Sequence, residues 1–245
     1  MRNIKLTIEY DGKNYAGWQV QHKKYRTLQQ TLEKALKRIL RKEIKIAGSG
    51  RTDSGVHAQA QVANFKTDSG IAIEKLRKAL NAVLPDDISV IKTEEVGLDF
   101  HSRFSAKSKV YRYTILNRAS RPAILRDTVY FFSYPLNLSL IQEEAKALLG
   151  RHNFRSFQAA DKKERDATRI IKNIKITRDK DFIYIDMEAD GFLYNMVRNI
   201  VGTLIEIGRG KLLEGSLKKI LLARNRKLAG PTVPAKGLCL LEIKY

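Results

Sequence analysis

The chain has 245 residues, 43% of them apolar, and carries 46 Lys and Arg against 26 Asp and Glu for a formal net charge of +20. That length and apolar content bury a sizeable core, in one large domain or two fused halves, and exclude a disordered polymer. The charge lies in clusters along the chain (Lys23 to Arg26, Lys162 to Arg165, Lys218 to Lys227) and not in a tail, so a folded basic surface facing an extended polyanion is expected. No apolar run approaches the roughly 20 residues that span a bilayer, which favours nucleic acid over an anionic membrane. The single cysteine, Cys239, is expected as a small core residue, and His22, His57, His101 and His152 lack metal-ligand spacing. A reducing cytoplasm and a site without metal are the expectation.

Ile4, Leu6, Ile8 and Tyr10 alternate with polar residues and predict a strand closed by Asp11-Gly12; this is not the unbroken apolar stretch of a secretory signal. After a loop holding Trp18, Thr27 and Gln30 have capping-box spacing for a helix with Leu28, Leu32, Ala35, Leu36, Ile39 and Leu40 on one face and Lys34, Arg38 and Arg41 on another. "EIKIA" (43–47) reads as a short strand entering "GSGRTDSGVHA" (48–58), and "AQAQVANFKT" (58–67) as the strand leaving it. A helix over about 74–84 ended by Pro85 and a strand over 88–93 follow. The second block opens with a strand at 107–116 and an amphipathic helix at 139–149 closed by Gly150. A hairpin over 170–177 and 182–190 comes next, then a buried helix at 192–208, a surface helix at 216–224 and a closing strand at 237–245. Both blocks run strand, helix, strand, which predicts an α+β protein of two halves, 1–104 and 105–245, joined without a flexible linker.

The glycine-rich loop fits none of three common motifs. Gly50 and Gly55 have P-loop spacing, but Val56 and His57 stand where lysine and a hydroxyl residue belong. A dinucleotide fingerprint would place a glycine where Asp53 stands, and a carboxylate there repels a pyrophosphate. Neither Ser49 nor Ser54 sits in a nucleophile elbow. What is left is an aspartate among glycines with Arg51 two residues before it, a cation that favours the ionised carboxylate needed by a nucleophile or base. An ordinary Asp-Ser-Gly turn with a surface ion pair satisfies the same residues, so spacing alone names no reaction.

Five blocks in order, "YDGKNYAGWQ" (10–19), "GSGRTDSGVHA", "FHSRFSAKSKVYRYTI" (100–115), "FLYNMVRNIVGTLIEIG" (192–208) and "GLCLLEIKY" (237–245), resemble the tRNA pseudouridine synthase A family. The resemblance implies the pseudouridine synthase fold: two ferredoxin-like halves, the first carrying the aspartate loop and the second completing the cleft, in one extended, mixed, mostly antiparallel sheet flanked by helices. It implies isomerisation of uridine to pseudouridine at positions 38, 39 and 40 of the anticodon stem-loop, without cofactor, by a cytoplasmic homodimer gripping tRNA. Asp53 corresponds to the catalytic aspartate, Tyr111 to the tyrosine against the uracil, Arg198 to the arginine that pairs with the aspartate, and Leu238 to the leucine packed on the base. Arg51 corresponds to the arginine that enters the RNA helix as the uridine leaves; a plain phosphate contact is its alternative. Ser54 and Cys239 depart from the residues common at their positions, alanine and an aromatic, which touches local packing only. His57 is expected to be structural. The rivals are a related synthase acting on other uridines or another RNA, and a non-catalytic RNA-binding protein.

Overall fold

The computed structural model describes residues 1–21, 25–159 and 166–245. Lys23, Lys24 and the whole 162–165 cluster lie outside the described residues. The chain divides into two compact units, Met1–Lys107 with Cys239–Tyr245, and Ser108–Leu238. Its elements are β1 (Arg2–Tyr10), α1 (Leu28–Leu40), β2 (Ala47–Gly48), β3 (His57–Thr67), α2 (Ile73–Val83) and β4 (Ile88–Val96), then β5 (Ser108–Leu116), β6 (Tyr130–Phe131), α3 (Leu138–Ala145) and β7 (Gly150–Asn153). These are followed by β8 (Thr168–Asp179), β9 (Phe182–Ala189), α4 (Met196–Gly208), α5 (Ser216–Ala223) and β10 (Leu238–Lys244). Strand pairing is antiparallel within both units except for short parallel pairs of β3 with β10 and β5 with β6, so the architecture is α+β.

In the first unit β1 lies between β4 and β3, and β2 pairs with β3, the βαββαβ order 4-1-3-2. Ile4, Leu6, Ile8 and Tyr10 all face the core, as the period-two alternation requires. Helix α1 starts where Thr27 accepts the Gln30 amide at 3.3 Å and stops at Arg41, whose φ of 54° is left-handed. It buries Leu28, Leu32, Ala35 and Leu36. The segment 43–46 is not a strand, although its alternation predicts one and Ile44 and Ile46 are buried. Its backbone is met by α1 side chains: the Ile46 amide donates to Glu33 Oε1 (3.2 Å), and Gln29 Nε2 donates to the Ile46 carbonyl (3.3 Å).

The second unit runs β5-β9-β8-β7, with β6 beside β5. Helix α3 tightens to a one-turn 3-10 helix at Lys146–Leu148, and Gly150, expected to close it, opens β7 at φ +93°. The 192–208 segment becomes helical only at Met196, because Asn195 is left-handed with φ 59° and breaks the run. Helix α4 is buried on nearly all sides, whereas α5 buries Leu217, Ile220 and Leu221 and leaves Lys218 and Lys219 outside. The closing strand β10, expected with the second half, clusters with the first unit, where Cys239 and Leu240 pair in parallel with His57 and Ala58 of β3. Cys239 is half-buried there.

Candidate active site

The loop bearing Asp53 leaves the sheet at a gap in one edge of β3. Strand β2 occupies that edge opposite Ala63 and Asn64, and β10 occupies it opposite His57 and Ala58. Between them the Ser49 amide donates to the Val62 carbonyl (2.8 Å), Ser49 Oγ donates to Gln61 Oε1 (2.7 Å), and Gln61 Nε2 donates to the Gly50 carbonyl (3.1 Å). The backbone groups exposed where pairing stops are thus met by a serine and a glutamine.

Thr52, buried, is the fixed point of the loop. Its hydroxyl shares a 2.7 Å hydrogen bond with the Tyr10 phenol, and its carbonyl accepts the Trp18 amide at 3.0 Å. Arg51 on one side of it is exposed and Asp53 on the other is half-buried. A turn follows: the Val56 amide donates to the Asp53 carbonyl (3.2 Å), with Gly55 at φ +77°. Ser54 donates to the Tyr15 carbonyl at 3.0 Å, which gives this departure a packing role. His57 is structural in the sense that the Gly12 amide donates to its Nδ1 at 3.2 Å.

The segment 10–19 lies directly against this loop. A methyl group at Gly12 would sit 2.0 Å from the Val56 carbonyl oxygen, and one at Gly17 would sit 2.7 Å from that of Thr52. Both distances are below any real carbon contact, so only glycine lets the two backbones meet. Gly48 likewise has the Trp18 indole where a side chain would be, at 2.4 Å. Burial holds the Tyr10 phenol above its usual range, the hydrogen bonds from Thr52 and Gln61 opposing this only in part.

In the second unit Tyr111 lies on β5 opposite Met187, is 7% exposed and packs edge-on against Phe192 with ring centroids 5.1 Å apart. Arg198 is in the first turn of α4 and half-buried; its Nε donates to the Val233 carbonyl (2.8 Å) and its Nη1 to Asn195 Oδ1 (2.9 Å). The same Asn195 that delays the helix therefore orients the guanidinium. Leu238 is buried at the start of β10, just after Gly237, where a methyl group would sit 2.7 Å from the Tyr113 ring; the Tyr113 hydroxyl donates to the Pro234 carbonyl (2.8 Å). Within this unit the structure thus brings the 233–238 segment onto both β5 and α4.

A buried polar network anchors that segment. Asn199 Nδ2 donates to the Phe157 carbonyl (2.8 Å), while its Oδ1 accepts from Arg226 Nη2 (3.0 Å) and the Thr232 hydroxyl (2.5 Å). Thr203 Oγ1 accepts the Gly230 amide at 2.9 Å, and a methyl group at Gly202 would sit 1.8 Å from the Pro231 carbonyl oxygen. The sequence reading missed both this network and the contact of 10–19 with the aspartate loop. The signal for that contact was Gly12 and Gly17 beside Tyr10 and Trp18, with Gly48 at the entry to the aspartate loop.

A basic face completes the first unit. Arg26, Gln30, Lys34 and Arg38, spaced four apart, line a groove of about 460 Å³ with Thr31, Ala35 and Val83. Arg26 lies over the Tyr15 ring at 4.7 Å, and neither Lys34 nor Arg38 has an ion-pair partner among the described residues. Among the described residues no group of three His, Cys, Asp or Glu is placed to hold a metal ion, and no helix is long and apolar enough to cross a membrane.

Comparison with known proteins bears on both units. A family model described as tRNA pseudouridine synthase matches residues 6–105 and 145–245, which include Arg51, Asp53, Arg198 and Leu238 but not Tyr111. The tRNA pseudouridine synthase A of Clostridium acetobutylicum is 48% identical over 245 residues, all of both chains, and that of Thermoanaerobacter sp. (strain X514) is 46% identical over the same span. The tRNA pseudouridine synthase A 2 of Clostridium perfringens is 48% identical, again over the full length of both.

Proposed function

The chain belongs to the tRNA pseudouridine synthase family, and we propose that it isomerises uridine to pseudouridine at positions 38, 39 and 40 of the tRNA anticodon stem-loop. Full-length likeness at 48% identity to a curated tRNA pseudouridine synthase A is the observation that carries this reading. The reaction breaks the bond from uracil N1 to ribose C1′, turns the base and joins C5 to C1′. A proton leaves C5 and one is taken up at N1, so no atom is gained or lost and neither oxidant nor phosphoryl donor is called for.

In this reading Asp53 is the nucleophile or base for glycosidic cleavage, and Arg198 is the cation that keeps it ionised. Tyr111 lies against the uracil and serves the proton transfer at C5, and Leu238 packs on the base. The uridine must first leave its stack, at a cost of a few kcal/mol that is smallest in loops and at stem ends, with Arg51 filling the space. The clasp around Thr52 supports a fixed carboxylate, because a nucleophile misplaced by an ångström loses much of its rate advantage. The charge of +20 and the α1 groove fit a tRNA backbone, and a homodimer would give one tRNA two basic surfaces.

Purified protein incubated with unmodified tRNA transcripts should yield pseudouridine at 38, 39 and 40, and Asp53→Ala should abolish turnover while still binding tRNA. Pseudouridine at other positions only would move the activity to another target. Full activity in Asp53→Ala would remove that residue from the chemistry.

A further inference from the structure

The block "FHSRFS" (100–105) supplies no residue to the reaction above, yet it forms an outward-facing aromatic pair on a well-bonded turn in the first unit. Phe104 is 76% exposed, more than any other aromatic among the described residues. Its ring is 4.4 Å from that of His101 at an interplanar angle of 38°, and the Arg103 guanidinium lies 5.4 Å from its centroid. A single exposed apolar side chain is ordinary. What distinguishes this one is how firmly its turn is held.

The anchor is Ser102, which is fully buried. Its amide donates to Asn64 Oδ1 (2.9 Å), its hydroxyl to the Ala47 carbonyl (2.5 Å), and its carbonyl accepts the Tyr245 phenol (2.8 Å). The turn closes on itself, the Ser105 amide donating to the His101 carbonyl (2.9 Å) and the Arg103 amide to His101 Nδ1 (3.1 Å), which sets the imidazole plane. On its other side the Phe100 carbonyl accepts from Asn3 (2.9 Å). A loop free to relax would fold over the ring and recover part of the ~1.5–3 kcal/mol that burying a phenylalanine is worth; here the bonds of the neighbouring residues hold the backbone that carries the ring outward.

We propose that Phe104, flanked by His101 and Arg103, is a stacking platform for an unpaired nucleobase of the bound RNA. A flat ring with only two side-chain torsions, on a turn whose backbone is already fixed, costs little ordering on binding, accepts any base through its π-face, and gains from a neighbouring guanidinium. RNA is favoured over a protein partner because Arg103 on the turn and Lys107 just after it are exposed, in a chain with a net charge of +20. The proposal rests on the reading of the protein as a tRNA-binding enzyme.

The test uses the full-length protein with an unmodified tRNA transcript and with a short single-stranded RNA carrying 2-aminopurine, titrated at several salt concentrations. Phe104→Ala should weaken binding about tenfold at every salt concentration, leave the slope of log affinity against log salt unchanged, and abolish the 2-aminopurine quenching seen with wild type. Phe104→Trp should retain both. Lys34→Ala with Arg38→Ala, by contrast, should flatten the salt slope. Wild-type affinity and quenching in Phe104→Ala overturn the platform, as does a loss of binding that sedimentation traces to a change in oligomeric state, which would make the turn a protein contact. Turnover by wild type that is lost in Asp53→Ala checks the underlying reading separately. If wild type neither binds nor modifies tRNA, that reading fails and the platform with it.

Discussion

The two units hold their candidate residues by different physical means. Around Asp53 the clasp is largely backbone on backbone, Gly12 against Val56 and Gly17 against Thr52, with the Trp18 ring on Gly48 and the Tyr10 phenol on Thr52 as its side-chain contacts. Around Arg198 it is largely side chains, the buried Asn199 joining Arg226, Thr232 and the Phe157 carbonyl, with one close backbone approach at Gly202. The first arrangement suits a short loop that must leave a sheet edge and return within ten residues. The second suits a longer segment, 226–238, which crosses a helix and can be fastened only where side chains reach it.

Gly12→Ala and Gly202→Ala should show the largest effects, each costing about 3 kcal/mol or more, since the new methyl meets a carbonyl oxygen and not a movable side-chain end. Denaturant titration measures this, and Gly12→Ala should also lose turnover through the displaced aspartate loop. Wild-type stability in either would break the idea that close approach holds that unit. A smaller contrast separates the units: Asn199→Ala should cost about 2–3 kcal/mol because it removes three hydrogen bonds of a fully buried side chain, and Tyr10→Phe only about 1 kcal/mol because it removes a single neutral hydroxyl bonded to Thr52 and Gln61. Equal costs would erase the distinction between backbone and side-chain clasps.

The smallest effect near neutral pH comes from the buried tyrosines. Burial raises the phenols of Tyr10 in one unit and Tyr113 in the other above the ordinary value of 10.0. The unfolded chain then releases these protons at lower pH than the folded one. Their contribution is fully present below pH 10 and is lost as pH rises toward the folded values. Stability followed from pH 8 upward should be flat and then fall above pH 10; a rise there would contradict the burial of these rings.

Much of the fold was legible because it is written in local periodicity. Ile4 to Tyr10 read as a half-buried strand, and Thr27 with Leu28 to Leu36 as a capped helix, because side-chain alternation and capping are properties of a few adjacent residues. The reading failed where a distant group satisfied the backbone, and where one residue left the helical region. Residues 43–46 alternate like a strand, but Glu33 and Gln29 of α1 take their hydrogen bonds, and 192–195 are apolar like a helix, but Asn195 turns left-handed. Strands β6 and β7 were too short to leave a period.

The candidate site divides along the same line. By itself the sequence determined the chemical types: an aspartate with an arginine two residues away, no nucleotide loop, a strongly basic chain, and five ordered blocks that place it in a family. The tertiary structure alone decided that Thr52 is the pinned residue between Arg51 and Asp53, that Val233 and Asn195 orient Arg198, and that β10 returns to the edge of β3. Identity is a property of one position and can be read from it. The atoms that hold a side chain in place come from residues far along the chain, and only folding brings them within hydrogen-bond distance.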